Sequence, residues 1–191
     1  MVKRLSHLDE EGRVRMVDVS AKRITRREAI ARGRLFLHAD TLALATAGGT
    51  KKKGDVIAAA HLAAVMAAKR THEWIPLAHP VPLDAIDVAF EMDPSGPAIE
   101  VQTRVVTRSR TGVEMEALTA VAAACLTLYD MLKAVDRGMV IGEIALWEKR
   151  GGRSGTYQRA TPVSSTPKRA APRPARRPSA RPGQRPGNSK K

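Results

Sequence analysis

Between Thr111 and Asp136 the apolar residues Leu118, Val121, Ala122, Cys125, Leu128, Tyr129 and Leu132 recur at helical spacing. Ala and Leu dominate the middle of this stretch, and no proline interrupts it. The pattern predicts a long helix over 111–136. Thr111 is its expected cap, Glu114 the third-residue partner of a capping box, and Arg137-Gly138 the stop. Two other stretches alternate with a period of two. Residues 84–92 place Ile86, Val88, Phe90 and Met92 on one side, and residues 98–108 do the same with Ile99, Val101, Thr103 and Val105. The turn Pro94-Ser95-Gly96-Pro97 between them predicts a hairpin. Val56–Lys69 is Ala-rich and reads as a second helix, and Asp40–Ala47 as a short one capped by Asp40. Val14–Val19 alternates loosely and suggests an early strand, while Met139–Lys149 suggests a last one. Residues 24–38 are ambiguous. Their charges allow a helix, whereas Gly33 and Leu35-Phe36-Leu37 favour a long strand. Pro76, Pro80 and Pro82 mark Trp74–Leu83 as an irregular loop.

Strands, helix, hairpin, helix and strand in that order predict an α+β domain, with helices packed on one face of a mostly antiparallel sheet. Aromatic residues make up only 3% of the chain, so the core has to be built from Ala, Val, Leu, Ile and Met. The single cysteine, Cys125, rules out an internal disulfide and a Cys-rich zinc site, and it fits a reducing compartment. No apolar run approaches the roughly 20 residues of a membrane span, and the first residues lack the apolar stretch of a signal peptide. The expected location is the cytoplasm.

The formal charge of +14 suggests a polyanion partner until its distribution is read. Nine of the 33 Lys and Arg lie in 160–191 beside no acid, which leaves 24 bases against 19 acids, a net +5, for 1–159. The same 32 residues hold seven of the twelve prolines. A segment of that composition cannot bury enough apolar surface to fold and is expected to be a disordered tail. It is a candidate for weak contact with polyanions. A nucleic-acid-binding module is therefore the rival reading. It needs a folded basic face or stacking aromatics, and 1–159 offers only two Phe, two Trp and two Tyr.

Candidate chemistry gathers at a few places. Asp130 and Lys133 are i,i+3 neighbours on one face of the long helix. Glu114 and Glu116 stand on its first turn, and Glu116 is fourteen residues from Asp130, roughly 21 Å along the axis. One small-molecule site cannot easily touch both ends of one copy. Either one end is structural, as capping acids or a surface ion pair, or two chains meet. Gly48–Asp55, with two glycines opening it and three lysines before a helix start, suits an anion. It lacks the spacing of a Walker motif. His79, between Pro80 and the Trp74–Ala78 segment, is held in a stiff loop. Lys69 closes the second helix, where a cation is also favoured by the helix dipole alone. His72 and His79 lack the spacing of a zinc site, so no metal is expected.

Taken together, MVDVSAK (16–22), KKKGDV (51–56), AAKRT (67–71), IPLAHP (75–80), TGVEMEALTA (111–120), LYDMLKAV (128–135) and GGRSG (151–155) resemble the MoaC family of molybdenum cofactor biosynthesis, the cyclic pyranopterin monophosphate synthases. The resemblance runs from about residue 5 to 158 and does not cover the tail. It departs at Ala78, where the family usually has Cys, and at Lys51-Lys52, where a His-rich approach is common.

The resemblance implies a ferredoxin-like fold assembled as a hexamer, a trimer of dimers, with the site at the dimer interface. It implies conversion of 3',8-cyclo-7,8-dihydroguanosine 5'-triphosphate to cyclic pyranopterin monophosphate with release of pyrophosphate, without a cofactor. It points to Asp130, Lys133 and Lys53 as catalytic residues. Leu77, Ala78, His79, Met115 and Glu116 correspond to substrate-contacting positions, with Lys69 as a further cation and Glu114 and Arg27 as weaker candidates. These residue types suit the chemistry. A triphosphate needs cations, ring opening and closure need proton transfers, and a carboxylate suits the edge of a guanine-derived ring.

Overall fold

The computed structural model describes residues 6–46 and 55–160. The ambiguous stretch 24–38 is a strand, β1 (Thr25–Phe36). Its charges do not favour a helix because they alternate. Ala29, Ala31, Gly33 and Leu35 are buried on one side, while Glu28, Arg32 and Arg34 project from the other. The projecting charges are met across the strands, as cross-strand pairing requires. Arg104 grips both carboxylate oxygens of Glu28 at 3.0 Å. Arg34 reaches Glu100 at 3.1 Å, and Arg32 lies over the Trp147 ring at 4.5 Å.

After β1 come helices α1 (Ala39–Thr46), α2 (Val56–Lys69) and the one-turn α3 (Thr71–Trp74). The predicted hairpin forms as β2 (Ala85–Asp93) and β3 (Ala98–Ser109), followed by helix α4 (Glu114–Leu132) and strands β4 (Val140–Arg150) and β5 (Tyr157–Gln158). The sheet order is β2-β3-β1-β4-β5, and every pair is antiparallel. Two β-α-β halves interleaved in this way form the ferredoxin-like arrangement. Helix α4 lies on β1, β3 and β4, and α2 packs against α4. Gly33 permits that approach, because a Cβ there would stand 2.6 Å from Val121 Cγ1. Leu35, Ile99, Val101, Val105, Val121 and Leu128 are fully buried between sheet and helices. Cys125 belongs to the same layer, where burial pushes its thiol up to about 12 and leaves it unreactive.

Several local expectations are corrected. Val14–Val19 forms no strand. Leu8 and Val14 make one isolated bridge, and Val14 and Met16 are exposed, so the alternation has no sheet to bury it. Asp40 lies inside the first turn of α1, and the His38 carbonyl accepts the first helical bond from Leu42 N–H at 3.0 Å. Thr111 does not cap α4. Val113 holds that position without a side-chain bond, and the chain is still bending at Arg110 and Thr111. The helix closes at Leu132 with Lys133 as its cap, four residues short of the predicted end. α4 has 19 residues and is apolar enough by length and composition to cross a membrane, but 56% of its most apolar 18-residue window is buried inside this domain, as in a core helix. Apart from Ala160, the predicted tail lies outside the described residues.

Candidate functional site

A cleft of about 250 Å³ opens at the N-terminal end of α4. It gathers Leu77, Ala78 and His79 from the α3–β2 loop with Glu114, Met115 and Glu116 from the first turn of α4. These are six of the predicted substrate contacts, drawn from two distant stretches of chain. The proline-rich loop is held by its backbone. Ala78 N–H donates to the Ile75 carbonyl at 3.0 Å, and the Thr107 hydroxyl donates to the Pro82 carbonyl at 2.6 Å. Arg27 does not line the cleft; it donates to the carbonyls of Ser109 at 3.0 Å and Arg110 at 2.9 Å, just before the start of α4. Its guanidinium also lies close to Gly152, where a Cβ would stand 2.2 Å from Arg27 Nη1. Arg27 thus ties β1, the start of the α4 turn and the GGRSG segment together.

The N-terminal arm closes the remaining side and contributes residues that sequence reasoning did not assign to a site: His7 and Lys22. Lys22 ends the MVDVSAK stretch and is fixed by its N–H on the Val19 carbonyl at 3.0 Å. The available signal was a lysine following the Asp18-Ser20 turn, but nothing local shows that this arm folds over the cleft. Asp18 is held below the usual carboxylate range by the Ser20 N–H at 2.8 Å, with Arg15 and His79 nearby adding to the effect.

Glu116 is the unusual group. It is 4% exposed, and desolvation pushes its carboxyl up to about 7, with the Glu114 charge acting in the same direction against a bond from its own backbone N–H. A carboxyl whose folded value exceeds its unfolded value stabilises the fold fully below about 4.5, and that stability is lost as pH rises through about 7. The loss amounts to up to about 3 kcal/mol. Glu116→Gln is therefore expected to be more stable than the wild type near ~pH 8 and equal to it near ~pH 4.5. Denaturant unfolding at the two pH values checks this, and an equal gap at both would refute the desolvation.

Asp130 and Lys133 stand at the other end of α4. Lys133 Nζ donates to Asp130 Oδ1 at 2.6 Å, and both side chains are largely exposed. Neither lines the cleft. Lys69 is exposed in the last turn of α2. Lys53 lies outside the described residues. Asp55, just past it, caps α2 by accepting the N–H groups of Ile57 at 2.9 Å and Ala58 at 3.0 Å.

A family model described as the MoaC family matches residues 16–152. The chain is 58% identical to the cyclic pyranopterin monophosphate synthase of Thermomicrobium roseum over 155 residues, 81% of this chain and 93% of that protein. It is similar to the synthase of Chloroflexus aggregans at 56% identity over 158 residues, 83% of this chain and 95% of the other. The synthase of Heliobacterium modesticaldum is 54% identical over 155 residues, covering 81% of this chain and 97% of that one.

Proposed function

The chain belongs to the MoaC family, and from that premise we propose that it makes cyclic pyranopterin monophosphate in molybdenum cofactor biosynthesis, acting in the cytoplasm. Its substrate is 3',8-cyclo-7,8-dihydroguanosine 5'-triphosphate, and pyrophosphate is the leaving group. The observation that carries the reading is the convergence of the 77–79 and 114–116 motifs on one cleft, within a chain matched along most of its length to proteins of that name. The rival reading, a nucleic-acid-binding module, has no support from those matches.

In this reading Glu116, with Met115, receives the guanine-derived ring, and the Leu77–His79 loop packs beside it. Lys133, Lys53 and Lys69 meet the triphosphate and move protons, and Asp130 holds Lys133 in place through their 2.6 Å bond. Lys22 joins these cations from the arm side of the cleft. Arg27 acts through the backbone it clamps. The separation of the two ends of α4 argues for a site shared by two chains, in a hexamer built as a trimer of dimers. Two-fold pairing sets the Glu116 end of one helix beside the Asp130–Lys133 end of its mate. The large apolar side chains that α2 and α4 leave exposed, Leu62 and Met66 on one and Leu126 on the other, support such an association.

Incubating the purified protein with the cyclised intermediate and measuring pyrophosphate tests the function, and absence of release would refute it. Deleting residues 160–191 is expected to leave turnover unchanged and to weaken heparin binding at low salt, since nine positive charges are removed. Loss of turnover at saturating substrate would place the tail in the site.

A further inference from the structure

The stretch 133–138 begins at Lys133, the cap of α4, and leads away from the helix, and five of its six residues are exposed. The exception is Asp136, which is 4% exposed. A carboxylate at that depth needs partners for both oxygens, and Asp136 has them. Oδ2 accepts the backbone N–H of His38 at 2.9 Å and the Thr41 hydroxyl at 3.4 Å. Oδ1 accepts the N–H of Gly138 at 2.9 Å and lies 3.8 Å from His38 Nε2. Burial raises the tendency of this carboxyl to hold a proton, but the His38 and Gly138 N–H groups outweigh it and keep Asp136 ionised. Its own N–H returns to the Leu132 carbonyl at 3.1 Å. One carboxylate therefore fastens the chain just beyond Lys133 to the turn between β1 and α1. Other side-chain ties on this stretch join Lys133 Nζ to Asp130 Oδ1 at 2.6 Å and the Tyr129 hydroxyl to the Arg137 carbonyl at 3.2 Å.

We propose that Asp136 is a positioning residue for catalysis. Its bridge from the end of α4 to the β1–α1 turn sets the place of Lys133 and, through it, of Asp130. This rests on the reading of Asp130 and Lys133 as catalytic. The bridge to His38 and Thr41 runs through Oδ2, while Oδ1 takes the local Gly138 N–H. An asparagine whose oxygen faces His38 retains that bridge, whereas Asp136→Ala removes it.

The test uses the full chain with the cyclised dihydro-GTP substrate, and rates are normalised to folded protein by circular dichroism. Asp136→Ala is expected to lower kcat at least tenfold with KM within about threefold of wild type, because Met115 and Glu116, which receive the ring, are left intact. In a Lys133→Arg background the same change should cost less than threefold, since a residue that acts only through Lys133 has little left to position. A general structural lesion would cost the same factor in both backgrounds, and that result overturns the proposal. If Asp136→Ala does not fold, Thr41→Val removes one donor and should lower kcat about threefold with KM unchanged. Wild-type kcat in that variant overturns the proposal equally. Wild-type kcat in Lys133→Ala would sink the catalytic reading and this proposal together. A large loss in Lys133→Ala beside wild-type kcat in folded Asp136→Ala would overturn the proposal alone.

Discussion

Lys133→Ala is expected to lower kcat by about 10²–10⁴-fold, the range over which a positioned proton-transfer group contributes. The reasoning begins with the substrate. Opening one ring and closing two others requires protons to leave and arrive at nitrogen and oxygen, next to a triphosphate that must be neutralised at the same time. A lysine does both, and Lys133 is presented at the end of a rigid core helix with Asp130 bonded to it at 2.6 Å. The fold should hardly notice the loss. The pair is more than half exposed on both sides, so its removal should change stability by no more than about 0.5 kcal/mol. Lys53→Ala is expected to behave alike, on the strength of the KKKGDV motif. Rates and melting temperatures measured together decide the matter. Near-wild-type kcat in both variants would remove the lysines from the mechanism, and a collapse of the melting temperature would make them structural.

Mixing two inactive variants is expected to restore activity. Glu116 lines the cleft at one end of α4, and Asp130 stands fourteen residues on, outside the cleft, roughly 21 Å away along the axis. A single copy cannot easily bring both to one reacting centre, whereas a two-fold pair can. With Glu116→Ala and Asp130→Ala subunits exchanged at equal ratio, half of the dimers are mixed. In each mixed dimer one site carries both substitutions and the other carries neither, so activity should return to roughly a quarter of wild type. Each variant alone should stay inactive while folded. If subunit exchange is proven, for instance by mass spectrometry of tagged chains, and no activity returns, each site draws both residues from one chain.

The elements whose periodicity is local were legible in the sequence. The 84–92 and 98–108 alternations became β2 and β3, and the Ala-rich run became α2 to the residue. The long apolar stretch became α4. Each carries in its own side chains the face it buries, and that is enough to set its type. The element ends were less legible, because they depend on what lies nearby. α4 stops at Leu132 because the chain beyond is drawn aside to hand Asp136 to the β1–α1 turn, a contact with His38 and Thr41 that no local signal announces. Val14–Val19 has a strand-like pattern but no neighbour to pair with, so it becomes an arm across the cleft.

The candidate site divides in the same way. Its residue types and motifs stand in the sequence, and the family can be read from them. Tertiary structure alone decided that the 77–79 loop and the 114–116 turn share a cleft, that Lys22 joins them, and that Arg27 spends its donors on backbone carbonyls. It also buried Glu116, which local sequence would leave as an ordinary acid of a first helical turn. Motif and periodicity are properties of neighbours along the chain, whereas desolvation and convergence depend on which distant segments the sheet and helices bring together.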